Sequence, residues 1–122
     1  MNSIPPKLRE ALAEDPFYQE CSLRQVHTCQ GRITWEHALE YRGSQLQERF
    51  AIVPICEYFH TGPGLNKKRN RWVALNRMTE EDFKKYDRAG FKQQKLYLNK
   101  IYGVWKLKKS SKSQPLVLNS LP

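Results

Sequence analysis

Apolar positions recur at helical spacing in three parts of the chain. After Ser3-Ile4-Pro5-Pro6, the residues Leu8, Ala11 and Leu12 fall on one face of a predicted helix over Lys7 to Glu14. Proline suits its start, where the first amide has no intrahelical partner to lose, and Asp15-Pro16 ends it, because proline disfavours a helical residue before it. Phe17 and Tyr18 then serve to pack this arm onto the body. Beyond the turn signal Thr61-Gly62-Pro63-Gly64, a basic helix is predicted over Leu65 to Arg77, with Leu65, Trp72, Val73 and Asn76 near one face. Thr79 is placed to cap the next helix with Asp82 three residues on, and Met78 to staple against Phe83. Gly90 closes that helix, and Phe91 to Tyr102 forms the last one, offering Phe91, Leu98, Ile101 and Tyr102 to the core.

Between the first helix and the turn signal the pattern changes. Arg32-Ile33-Thr34-Trp35 alternates and is rich in β-branched and aromatic residues, which predicts a short strand with Glu36 and His37 at its end. Ser44 to Phe50 is expected to be a short helix, capped by Ser44 with Gln47 at the third position. Ala51-Ile52-Val53-Pro54-Ile55-Cys56 is apolar and β-like, and Pro54, which cannot donate to a ladder, makes it an edge strand or one that ends there. Helices around a few short strands give an α+β fold class.

With 122 residues, of which 39% are hydrophobic, the chain is expected to form one domain with a modest core that gains from a staple such as a bound metal. We assign that domain to residues 1–104, its centre to 21–77, and residues 105–122 to a basic tail in which Lys106, Lys108, Lys109 and Lys112 stand among serines. A formal charge of +9 points to a polyanionic partner. No apolar run approaches the roughly 20 residues that cross a bilayer, and Met1 to Leu12 carries prolines and charges rather than a signal, so the expected location is the cytoplasm, with no membrane partner. No P-loop or dinucleotide glycine pattern is present, and no serine or cysteine stands in a recognisable nucleophile setting.

Three cysteines without a signal argue against a disulfide framework and for metal ligands or plain buried thiols. Zinc favours thiolate and imidazole in a closed tetrahedron, and the candidate pairs are Cys21 with Cys29 and Cys56 with His60, with His27 as a possible replacement for one ligand. Cys56 and His60 stand four apart and would share a face if the chain turns helical after Cys56. Glu36-His37 at a strand end joins a carboxylate able to hold a divalent cation to an imidazole able to take a proton from water. Asn66, Lys67, Lys68, Arg69, Asn70 and Arg71 put four cations and two amides into six residues, a pattern suited to phosphates and base edges.

The order of these features, from the cysteine region through the strand, Glu36-His37, the run into Cys56, His60 and a basic helix, resembles the HNH (ββα-metal, His-Me finger) endonucleases, particularly small HNH-type proteins of phages and prophages. The resemblance spans Cys21 to Arg77. It implies a zinc-stapled, treble-clef-like finger flanked by N- and C-terminal helices, and DNA, duplex or branched, as substrate. Glu36 would bind a catalytic Mg2+ or Mn2+, His37 would be the general base, His60 would close either the catalytic site or the zinc site, and Cys21, Cys29 and Cys56 would hold structural zinc. Two positions depart from the family pattern: Ala51 stands where a central asparagine orients the base, and Phe59 stands where a fourth zinc ligand is common. A non-catalytic DNA-binding or recombination accessory protein on the same scaffold is the alternative.

Overall fold

Pro6 opens helix α1 (Pro6–Ala13) in a computed structural model that describes residues 4–24 and 29–105. Asp15 Oδ1 accepts from the Phe17 amide at 3.0 Å and starts a 3-10 turn, Pro16–Gln19. Leu12 is the fully buried residue of α1 and joins Ile4, Tyr18 and Ile52 in a small apolar cluster, with Leu8, Phe17 and Trp35 around it. The Tyr18 hydroxyl donates to the Arg49 carbonyl and accepts from the Arg77 guanidinium, which ties the arm to two distant parts of the chain.

Strand β1 (Ile33–His37) leads into a small hairpin, β2 (Glu40–Tyr41) and β3 (Ser44–Gln45), and then to β4 (Ile52–Cys56), which pairs antiparallel with β1. The register sets Thr34 opposite Ile55, Glu36 opposite Val53, and His37 opposite Ile52. Opposite residues of an antiparallel pair share a face. Thr34 and Glu36 therefore lie on the side of Val53 and Ile55, which belong to the main core, while Trp35 and His37 lie on the side of Ile52 and the N-terminal arm. Both faces of β4 are covered, and all five of its residues are buried. Pro54 fits because this sheet has two strands: on the outer edge its carbonyl accepts from both the amide and the hydroxyl of Ser22, each at 2.8 Å.

The hairpin loop is Arg42-Gly43, with φ of 56° and 81°. Two positive φ values in a two-residue loop define a type I′ turn, where Asn, Asp or Gly is usual at the first position. The helix expected over Ser44 to Phe50 is absent. Leu46, buried at 8% exposure, donates its amide back to the Leu39 carbonyl at 3.0 Å and so extends the hairpin pairing, which leaves only a 3-10 turn at Arg49–Ala51.

One turn of helix, α2 (Glu57–His60), follows β4 directly. Helix α3 (Lys67–Arg77) starts two residues later than expected because the Asn66 side chain caps it by accepting from the Arg69 amide at 3.1 Å, and Leu65 is left outside, 43% exposed. Helix α4 (Glu80–Lys85) has the expected Thr79–Asp82 capping box, and Met78 and Phe83 are both in the main core. Gly90, at φ 71°, supplies the left-handed residue between α4's trailing 3-10 turn, Asp87–Ala89, and α5 (Phe91–Tyr102). Helix α5 packs on α3 through Phe91, Leu98 and Tyr102, and Trp72 Nε1 donates to Asn99 Oδ1 and to the Gly103 carbonyl at 3.1 and 2.8 Å. Ile101 was expected inside but lies beside that stripe and is 47% exposed. Among the described residues no helix is long and apolar enough to cross a membrane. His27 and the lysines from Lys106 onward lie outside the described residues.

Candidate metal centres and an adjoining basic cleft

Cys21 follows the first 3-10 turn, Cys29 precedes β1, and Cys56 ends β4, yet their sulfurs all lie within 4.8 Å of one another. A tetrahedral zinc with bonds of about 2.3 Å separates thiolates by about 3.8 Å, so the trio is on the scale of a metal site. None of the three is in a disulfide. The Leu23 amide points at Cys21 Sγ (3.4 Å) and the Gln30 amide at Cys56 Sγ (3.3 Å), contacts that orient and stabilise thiolate ligands.

The electrostatics agree. Burial raises the Cys21 thiol and, with the neighbouring sulfurs adding to it, pushes Cys29 up to about 12. At Cys56 burial acts upward too, but the amides of Gln30, Phe59 and Tyr58 outweigh it and bring that thiol below its ordinary value. Three thiols this close cannot all ionise unless a cation offsets their repulsion. The cluster can hold a metal ion.

His60 is not part of the trio. The expectation that it shares a face with Cys56 requires both residues to be helical, whereas Cys56 is the cap of α2 and is extended, at φ −73° and ψ 164°. Its sulfur turns toward Cys21 and Cys29 while His60, at the end of the turn, faces β1. Phe59 beside it is 1% exposed and packs in the core.

His60 instead meets β1. Its Nε2 is 2.9 Å from Glu36 Oε1 and its Nδ1 is 2.6 Å from Thr34 Oγ1. Thr34 Oγ1 also lies 2.8 Å from the Ile55 carbonyl, which can only accept, so the hydroxyl proton goes there and the Thr34 oxygen accepts from His60 Nδ1–H. The ring is thereby fixed with Nε2 toward the carboxylate. Thr34 was not singled out in the sequence; its place two residues before Glu36, on the same strand face, is the signal that marks it.

His37 Nε2 is 2.9 Å from Gln47 Oε1. An amide oxygen accepts, so His37 donates from Nε2, and Nδ1 of the neutral ring remains as the basic nitrogen. Gln47 thus orients the imidazole. Ala51, which the sequence reading set against an expected asparagine, is fully buried, and its carbonyl accepts from the Ala38 amide at 2.8 Å.

Glu36 and His37 point to opposite faces of β1, but both border one cleft of about 750 Å³. Its other walls are the hairpin with Tyr41, Arg42 and Gln45, the first turns of α3 with Lys67 and Arg71, and the corner into α5 with Arg88 and Gln94. Of the six basic-helix residues picked from sequence, Lys67 and Arg71 therefore face the cleft and Lys68 is exposed outside it. Asn66 is the helix cap, and Arg69 lies over the Phe59 ring at 5.6 Å. Asn70 is 1% exposed, with neither side-chain polar atom hydrogen-bonded; the turn of α3 that points Lys67 and Arg71 outward points Asn70 into the core, out of reach of a nucleic acid.

Compared with protein-family models, with characterised proteins and with solved structures, the chain has no match.

Proposed function

We propose that this chain is a metal-dependent endonuclease or nicking enzyme that hydrolyses DNA phosphodiester bonds, on a zinc-stapled finger of the ββα-metal, treble-clef-like kind carried by phages and prophages. The observation that carries the reading is the contact of His60, its ring oriented by Thr34, with Glu36, which borders a cation-lined cleft together with His37. Both residues fit a hard divalent cation: a carboxylate oxygen and an imidazole nitrogen, half-buried and already in contact.

Magnesium or manganese bound there would neutralise charge on the scissile phosphate and on the leaving oxygen. Each side chain has a separate task. His37 accepts a proton from the attacking water at Nδ1, held in that tautomer by Gln47. Lys67 and Arg71 hold phosphates of the strand. The Cys21, Cys29 and Cys56 sulfurs take a structural zinc, with His27 or a water as the fourth ligand.

A second reading is favoured by the direct Glu36–His60 contact, which is an ion pair without any metal when the imidazole carries both protons. Here the finger is the scaffold of a non-catalytic DNA-binding or recombination accessory protein. Nicking of supercoiled plasmid decides between them. Wild type with magnesium or manganese should nick, and His37→Ala and a chelator control should not. A folded wild type that binds DNA without cutting it would establish the accessory reading.

A further inference from the structure

Among the described residues, some cations are paired with acids and others are not. Arg24, Arg32, Arg49, Lys85 and Lys92 each pair with an acid at 3.4 Å or less. Arg42, Lys67, Arg71 and Arg88 pair with none among the described residues, and all four border the cleft that holds Glu36 and His37. Three separate elements bring them there. Lys7, Lys68 and Lys100 also lack an acid partner among the described residues and lie outside this cleft, so what sets the four apart is their convergence on one opening.

We infer that the cleft takes an unpaired DNA strand rather than a duplex, gripped on one side by α3 and on the other by Arg42 and Arg88; this rests on the nuclease reading of the same site. A volume of about 750 Å³ is that of a small-ligand pocket, room for on the order of one or two nucleotides and far too little for a double helix. Tyr41 stands half-buried on the wall, and single-strand sites combine a basic groove with aromatic faces on which bases stack.

Arg42 stands at a position that disfavours its residue type. It occupies the left-handed position of a tight turn that asparagine or glycine would fill without strain, and its guanidinium lies over the Tyr41 ring at 5.5 Å. Cation and aromatic ring are thus presented together at the cleft mouth.

The test is fluorescence anisotropy with full-length protein, without added magnesium or manganese, on a labelled single-stranded oligonucleotide and on the blunt duplex of the same sequence. The single strand should bind about tenfold more tightly. Arg88→Ala, on an exposed turn, and Arg42→Asn, which suits the turn, should each weaken single-strand binding roughly three- to tenfold and lower the salt slope by about one. Lys68→Ala, outside the cleft, should have a smaller effect. Equal or tighter duplex binding, tighter binding of the matching RNA, or single-strand affinity unchanged in both arginine variants would overturn the inference. Preference for single strands in a protein that never cuts removes the nuclease reading and keeps this one; nicking without that preference does the reverse.

Discussion

Thr34 fixes the ring of His60: its oxygen is 2.6 Å from Nδ1, and its proton is committed to the Ile55 carbonyl 2.8 Å away. The arrangement turns Nε2 toward Glu36 without any contribution from Glu36 itself. Thr34→Val keeps the shape and β-branching and removes the acceptor. Affinity for manganese, measured by calorimetry, should fall about tenfold, as for loss of other partners behind a metal ligand, while the fold is retained. Unchanged affinity would show that Thr34 does not hold the ring.

The cysteine trio makes a prediction about stability. Protein purified without chelator should carry zinc, and stripping it should lower Tm by roughly 10 °C or more, since a structural metal contributes folding free energy directly. Cys29→Ser is the informative variant, because Cys29 is half-buried and little packing is lost with its sulfur. Zinc content and Tm equal to wild type would exclude the trio as a metal staple.

Glu48 anchors the segment before β4 to the far side of the molecule, accepting from Lys85 Nζ at 2.8 Å and from the Tyr86 hydroxyl. Burial alone would raise its carboxyl; the two hydrogen bonds outweigh that and hold it below the ordinary range. A carboxyl lowered in the folded state contributes its stability above the unfolded value, about 4.3, and loses it as pH falls through the folded one. The Tm difference between wild type and Glu48→Gln should be full at pH 6 to 7 and shrink below about pH 4. A difference that stays constant across this range would mean that the ionised form is not what matters.

Asn70 is a buried amide without partners. Leucine has the same branching and number of heavy atoms, and it removes the cost of desolvating two polar groups. Asn70→Leu should raise stability by about 1–2 kcal/mol in urea denaturation. A destabilised variant would show that the amide has a role in the folded state that outweighs its desolvation.

Much of this frame can be read from local chemistry. The Thr79–Asp82 capping box, Gly90 between two helices and the β-branched alternation before Glu36 each act within a few residues, and each element formed where those signals stand. The failures are of another kind. Ser44 and Gln47 make an acceptable local cap, but Leu46 is drawn into the core and its amide into hairpin pairing, so a tertiary contact overrides the helix signal. Asn70 and Arg71 look alike on paper, and only the packing of α3 against the core separates a buried amide from a cleft cation. Gln47 is invisible as the partner of His37 because ten residues and a hairpin lie between them. His60 and Cys56, four apart, part company because one is helical and the other extended.

That last separation has a mechanical side. Cys56 caps α2 and His60 ends it, so one turn of helix, about 6 Å of rise, joins the sulfur cluster to the Glu36 pair alongside the β1–β4 pairing. So short a rod has no slack in which to absorb a displacement. Oxidants that convert the thiols to sulfenic acids or disulfides would shift the first residue of α2 and, with it, the imidazole at the other end. Oxidative damage at the cysteines would then disable a histidine whose own chemistry is untouched, and a reductant that restores the thiols would restore both.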